Sequence, residues 1–206
     1  FVAKRFYQTT ADPTVVSLDD NRYFLMQELL LIGEIAFFLE KFYQCGKSNE
    51  VDLDPSLTVT KAWLATESFG DDGEACPAAG ITEDSVEAAR ESGVTWLVEP
   101  YRTGTVTKFC GTLNRRSKAA TTRMAATVHA FMHFVYYFSQ QSMALCDVQS
   151  TSRIAHSTTR KSGPGDHGKE GITNFLASHQ CTAKCEALGL ETLEELEPEN
   201  DTSGEE

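Results

Sequence analysis

The chain has 206 residues, 41% hydrophobic and 23% charged. This ordinary globular composition excludes collagen-like repeats, wholesale disorder and mucin-like stalks. Of the net charge of −12, residues 191–206 hold eight acids and no Lys or Arg, which leaves −4 for the preceding 190 residues. The tail therefore reads as solvated and disordered. An acidic chain is a poor nonspecific binder of nucleic acid or of anionic membranes, whose phosphates call for Lys and Arg.

The length suits one domain or two small lobes on a shared core. The most apolar run, residues 23–43, is interrupted by Glu28, Glu34, Glu40 and Lys41, so no membrane insertion is expected. Cysteines stand at 45, 76, 110, 146, 181 and 185. The chain is too long and core-rich to need staples, so the expectation is a reducing, cytoplasmic setting with one metal site rather than a disulfide framework. The chain opens at Phe1 in what already reads as a strand interior, as expected of part of a longer polypeptide.

In chain order, residues 1–7 alternate as a strand with Val2, Lys4 and Phe6 on one face, which puts Lys4 on an apolar, inward side. Residues 22–44 predict a helix with Gln27, Glu34 and Lys41 as its polar stripe. Glu28 falls off that stripe, among Ile32, Ile35 and Leu39, and such a carboxylate needs a partner. A strand is expected at 57–66, a short helix at 83–90, and strands at 94–100 and 103–109. A core helix is expected at 119–139, a short strand at 142–149, and polar loop at 150–167. Residues 168–190 read as helical with a break around the last cysteine pair. A strand-rich first half and a helix-rich second half make an α+β chain with two lobes.

Four constellations carry chemistry. His179-x-Cys181-x-x-x-Cys185 suits Zn²⁺, with the cysteines one helical turn apart. For the fourth ligand the sequence offers His133, His129, Cys146 and Cys110 and does not choose. Asp147 and Gln149 share one strand face, and Asp147 stands at a strand end, where metal ligands and general bases tend to sit. Gly163, Gly165 and Gly168 form G-x-G-x-x-G before a helix; no strand precedes it, so a dinucleotide fingerprint is not supported. Backbone amides there still suit a phosphate or a substrate segment. Lys4 on a strand and Glu28 on the next helix are the parts of a kinase-type ion pair that orients a lysine on ATP phosphates.

The order of these pieces resembles the atypical alpha-kinases, a family that includes myosin heavy chain kinases, elongation factor 2 kinase and the channel-kinases, and most of all its fungal members. The resemblance runs from Val2-Ala3-Lys4 to Leu188-Gly189-Leu190. Its most specific part is Gly163-x-Gly165-x-x-Gly168, Gly171-Ile172, Phe175, His179-x-Cys181-x-x-x-Cys185 and Leu188-Gly189-Leu190. Upstream, Leu97-Val98-Glu99-Pro100, Gly104 and Lys108-Phe109 look like the hinge and its following strand, and Ala130-Phe131-x-His133 with Tyr137 like the helix that completes the zinc site.

The resemblance implies a two-lobed, protein-kinase-like fold: residues 1–98 as a partial N-lobe, 99–190 as a zinc-containing C-lobe, and 191–206 as the tail. It implies a serine/threonine protein kinase that takes ATP, Mg²⁺ and a protein substrate. Lys4 is then the phosphate-binding lysine, Glu28 its pairing carboxylate, and Glu99 the hinge residue at the adenine. Asp147 becomes the catalytic aspartate, Gln149 a Mg²⁺ ligand, and Gly163, Gly165 and Gly168 the glycine loop. His133, His179, Cys181 and Cys185 become the ligands of a structural Zn²⁺.

The chain departs from the family pattern at two places. The nucleotide-covering glycine hairpin precedes the lysine in the family, and only three residues precede Lys4 here. The family also places a second Mg²⁺-binding Asp between the Asp-x-Gln strand and the glycine loop, whereas residues 150–162 contain no acid. One carboxylate holds Mg²⁺ more weakly. A catalytically inactive binding module is therefore the alternative within the family, and a zinc-stabilised interaction domain the alternative outside it.

Overall fold

The computed structural model describes residues 1–6, 16–104, 107–109, 121–145, 148–150, 153–155 and 168–193. Strand β1 spans Val2–Lys4, helix α1 Leu18–Ser48, β2 Thr58–Val59 and β3 Trp63–Glu67. Helix α2 spans Val86–Ser92, β4 Val94–Glu99 and β5 Thr107–Lys108. Helix α3 spans Arg123–Phe138, β6 Gln149–Ser150, β7 Arg153–Ala155, α4 Gly168–Ser178 and α5 Ala183–Ala187. Helix and sheet are mixed, and none of the described helices is long and apolar enough to cross a membrane.

A three-stranded antiparallel sheet has the order β1-β4-β3. A second sheet has the order β2-β7-β6-β5, parallel between β2 and β7 and otherwise antiparallel. The strand expected at 57–66 is thus two strands in different sheets. Of the strand expected at 142–149, residues 142–145 are not strand and Gln149 begins β6, while part of the expected loop at 150–167 is β7.

Helix α1 joins the two halves. Its positions 21, 25, 28, 32, 35, 39, 42 and 46 repeat at alternating steps of four and three, the spacing of one packed seam. All of them are buried except Glu28, which is half-buried and has a partner. The first half of the seam, Leu25 and Ile32, packs on Leu97 of β4. The second half, Ile35, Leu39 and Phe42, packs on Phe131 and Phe134 of α3, with the Phe42 ring centroid 5.2 Å and 5.4 Å from theirs. The helix begins earlier than its sequence pattern suggests because Ser17 caps it: Ser17 Oγ accepts from Asp20 N at 3.1 Å.

Helix α3 is buried on nearly every face from Ala125 to Tyr136, as its aromatic content requires. Thr122 caps it through Oγ1, which accepts from Ala125 N at 3.1 Å.

The expected inward orientation of Lys4 is corrected. Lys4 is exposed, and the buried side chain at this edge is Arg5, whose Nη2 donates to Val16 O at 3.2 Å and whose Nη1 donates to Ala79 O. A three-residue edge strand offers too short an alternation to fix which face meets the core. Buried Asn21 secures the same edge. It accepts from Phe6 N at 3.0 Å and donates to Thr95 O at 2.8 Å, so the start of α1 is stitched to β4.

Candidate functional site

The first cluster lies at the end of β4. Val2 faces Glu99 and Lys4 faces Leu97 across the β1–β4 ladder, so Lys4 and Glu99 are diagonal neighbours on one face of the sheet. Lys4 Nζ donates to Glu99 Oε2 at 2.9 Å. Glu99 is buried, and Arg102 Nη2 approaches the same oxygen at 3.6 Å. Arg102 Nη2 also donates to the hydroxyl of Thr60, a buried residue between β2 and β3. A buried carboxylate needs cationic partners, and Glu99 has two.

The ion pair expected between Lys4 and Glu28 is thereby corrected: the carboxylate that meets Lys4 is Glu99. The reason is the register of β1 on β4, which sets Lys4 one diagonal step from Glu99. Glu28 instead sits on the packed seam of α1.

The second cluster joins α3, the end of α4 and α5. His133, His179, Cys181 and Cys185 offer ligand atoms that all lie within 4.8 Å of one another. Cys181 Sγ is 3.6 Å from His133 Nδ1, and Cys185 Sγ is 3.9 Å from His179 Nε2. With Zn–S about 2.3 Å and Zn–N about 2.0–2.1 Å, a tetrahedral ion holds S and N about 3.6 Å apart. The two soft thiols and two imidazoles therefore match Zn²⁺ in both donor type and spacing. His129 lies one turn before His133 on α3, with its ring centroid 6.2 Å from that of His179 against 5.0 Å for His133. The break between α4 and α5 turns His179 and Cys181 toward α3. Cys185 sits inside α5, where Thr182 N points at its sulfur at 3.5 Å.

Electrostatics favour the ligating form of the imidazoles. Burial, reinforced by His133 and His129, pushes His179 down to about 3. Burial also lowers His133, against a smaller opposing effect of the Glu191 backbone. Both rings are thus neutral at pH 7. Desolvation, and then the neighbouring Cys185, raise the Cys181 thiol, so capture of a cation there releases a proton. A lysine from α5 braces the cluster: Lys184 Nζ donates to Asp52 O, and the Asp52 carboxylate pairs with Arg123 at the start of α3 at 2.5 Å. Asn21, Thr60, Arg102 and Lys184 escape sequence reading because their partners are far along the chain or are backbone carbonyls.

The remaining expected residues are only partly placed. Gln149 lies on β6, where its backbone pairs with Lys108 and Ala155. Gly168 opens α4 with φ +51°. Asp147, Gly163 and Gly165, together with the acidic tail beyond residue 193, lie outside the described residues.

A profile of the alpha-kinase family matches residues 1–185. Among individual relatives, myosin heavy chain kinase A of Dictyostelium discoideum is 31% identical over 100 residues, covering 46% of this chain and 8% of that protein. Alpha-protein kinase 1 of the same organism is 36% identical over 84 residues, covering 38% of this chain and 6% of that protein. The fold matches the solved alpha-kinase domain of myosin-II heavy chain kinase A in complex with AMP-PNP, with a TM-score of 0.60 at 19% identity, covering 83% of this chain and 59% of that one. The C-terminally truncated alpha-kinase domain of myosin heavy chain kinase gives 0.62 at 18% identity, covering 91% and 64%. The chain thus spans less than a tenth of these relatives and about three fifths of the solved domains. Because the family match runs unbroken from the strand that carries Lys4 to the second cysteine of the His–Cys cluster, the chain belongs to the alpha-kinase family.

Proposed function

We propose that this chain is the nucleotide-binding and catalytic part of an ATP-dependent protein kinase that transfers the γ-phosphate to Ser or Thr of a protein substrate. The single observation that carries the reading is the meeting of Lys4 with the hinge carboxylate Glu99 inside a family-wide match. A solved domain of the same fold is in complex with AMP-PNP. In this reading residues 1–98 and 99–190 form the two lobes, and the nucleotide lies between β1 and the hinge. Lys4 is exposed at that edge and turns its ammonium to the phosphates. Glu99 and the backbone after it meet the adenine.

Asp147 orients the substrate hydroxyl and takes its proton as the hydroxyl oxygen bonds to the γ-phosphorus. The bond to the β–γ bridging oxygen breaks, and ADP departs. Asp147 and Gln149 would hold Mg²⁺, which would supply charge neutralisation on the phosphates. Gly163, Gly165 and Gly168 would serve the phosphate or substrate end. His133, His179, Cys181 and Cys185 hold a structural Zn²⁺ whose role is to lock α4 and α5 onto α3. Their spacing and neutral imidazoles support that assignment.

A second reading has a specific observation behind it. Residues 150–162 contain no acid, so the chain lacks the second metal carboxylate expected of the family. A nucleotide-binding module without phosphotransfer follows from that.

Calorimetry with ATP, with and without Mg²⁺, tests the first step. Binding that needs Mg²⁺ and is lost in Lys4→Ala supports the kinase. Binding indifferent to Mg²⁺ selects the inactive module, and no binding at all removes both.

A further inference from the structure

We propose that Arg102 is a positioning residue for the lysine: it holds the charge of Glu99 while Lys4 moves to the phosphates of a bound nucleoside triphosphate. The inference rests on the nucleotide reading above and deepens it.

The three side chains differ in freedom. That of Glu99 is 6% exposed, that of Arg102 23% and that of Lys4 54%. Lys4 and Arg102 converge on one oxygen, Glu99 Oε2, at 2.9 Å and 3.6 Å. The same Arg102 Nη2 that approaches Glu99 donates to the hydroxyl of buried Thr60. Lys4 is the last residue of a three-residue strand, and its ammonium rides on a flexible four-carbon stem.

With Lys4 as its only cation, Glu99 would be left as an uncompensated buried carboxylate whenever the ammonium swung away. That penalty would tether the lysine to the hinge. Arg102 removes the penalty. Its guanidinium stands at ion-pair distance already, and a shift of less than 1 Å makes a full charge-assisted hydrogen bond to Oε2. Nη2 of the guanidinium carries two hydrogens, so it can keep Thr60 and take Glu99 at once. The arrangement is an exchange of partners on a fixed anion, in which Arg102 stays and Lys4 travels.

Only ligands with phosphates draw Lys4 away, so the effect of Arg102 must depend on the phosphates. The test is calorimetry of the full-length protein with ATP and with adenosine, for wild type, Arg102→Gln, Arg102→Lys and Lys4→Ala, and for Arg102→Gln combined with Lys4→Ala. Arg102→Gln is expected to weaken ATP roughly tenfold, the size of one charge-assisted contact. Adenosine affinity should change by less than about twofold, as for an uncoupled site. Arg102→Lys, which keeps the charge, should recover part of the loss. In the Lys4→Ala background the Arg102 substitution should leave ATP affinity unchanged.

Thr60→Val provides a second route to the same answer, because it loosens the guanidinium without removing a charge. It should lower ATP affinity alone. Equal losses for ATP and adenosine, or a loss that persists without Lys4, would make Arg102 merely structural and overturn the inference. A wild-type protein that binds adenosine normally but shows no sensitivity to Arg102 overturns it too. A wild type that binds neither ligand overturns the nucleotide reading and this inference with it.

Discussion

His133 Nδ1 on α3 stands 3.6 Å from Cys181 Sγ, 48 residues further along the chain. Neither atom has reason to seek the other in a metal-free core, since a thiol–imidazole contact is a weak one. With His179 and Cys185 they form a group of four donors within 4.8 Å of one another, a donor set that suits a tetrahedral ion. Removing one thiol should therefore cost much more than an average substitution. Cys181→Ala or Cys185→Ala is expected to lower stability by about 3 kcal/mol or more, or roughly 10 °C in Tm for a chain of this size. Wild-type protein should carry one equivalent of zinc by elemental analysis and lose comparable stability to a strong chelator. Unchanged melting in both variants, with no zinc in the wild type, would remove the metal site.

Tyr43 reports on the loop that leads from α1 to β2. Its hydroxyl donates to Asp54 O at 2.6 Å and lies 2.9 Å from Leu57 O. Burial, with the nearby Asp54 carboxylate, pushes the phenol up to about 12. The folded state thus favours the neutral ring more than the unfolded state does, whose phenol ionises near pH 10. The resulting stability is fully present below pH 10 and is lost as pH rises from 10 toward 12. Tyr43→Phe should cost on the order of 1 kcal/mol at pH 7 and flatten the alkaline loss relative to wild type. Identical denaturation profiles of the two proteins from pH 9 to 12 would contradict this.

What the sequence discloses is whatever repeats locally. The α1 seam at 25, 32, 35, 39 and 42 was readable because one face of a long helix must be apolar to reach a core. The same logic exposed Glu28 as the odd residue of that face. The break around the cysteine pair was expected, but the two cysteines do not share a helical turn: Cys181 precedes α5 and Cys185 lies within it. The partner of Lys4 was not readable. It depends on the register of β1 against a strand 95 residues away, and a three-residue strand carries no pattern that selects one register. The parallel pairing of Thr58 with Arg153 was hidden for the same reason. Arg102 carried no sequence signal, because its partners Thr60 and Glu99 come from other elements and meet it only in the fold.

Gly93 is a position where backbone conformation decides the residue. It ends α2 and starts β4 at φ +71°, in the left-handed region that side chains disfavour. A Cβ there would sit 2.8 Å from Glu67 O and press on the Thr66 side chain, both on the neighbouring strand β3. Relief would require moving β3 off β4, the strand that presents Glu99. Gly93→Ala is therefore expected to destabilise the fold by about 2 kcal/mol or more. Urea denaturation measures this directly, and a midpoint within error of wild type would show that the turn tolerates a side chain.

Chemistry and binding separate at Asp147. Asp147 stands two residues before Gln149, whose backbone on β6 is held between β5 and β7. If Asp147 takes the substrate proton, Asp147→Asn should reduce phosphotransfer by about 10²–10⁴-fold, with Tm unchanged and ATP still bound. Because residues 150–162 supply no second carboxylate, Mg²⁺ bound there would be held weakly. Any transfer by the wild type should then keep rising into the millimolar range of Mg²⁺ rather than saturating early. Single-turnover phosphate transfer, measured across a Mg²⁺ series with both proteins, gives three distinct results. Activity that climbs with Mg²⁺ and vanishes in Asp147→Asn identifies a working kinase with an impoverished metal site. Activity that survives the substitution assigns the proton to another group. ATP binding with no transfer at any Mg²⁺ concentration makes the missing carboxylate the reason that this fold binds nucleotide without using it.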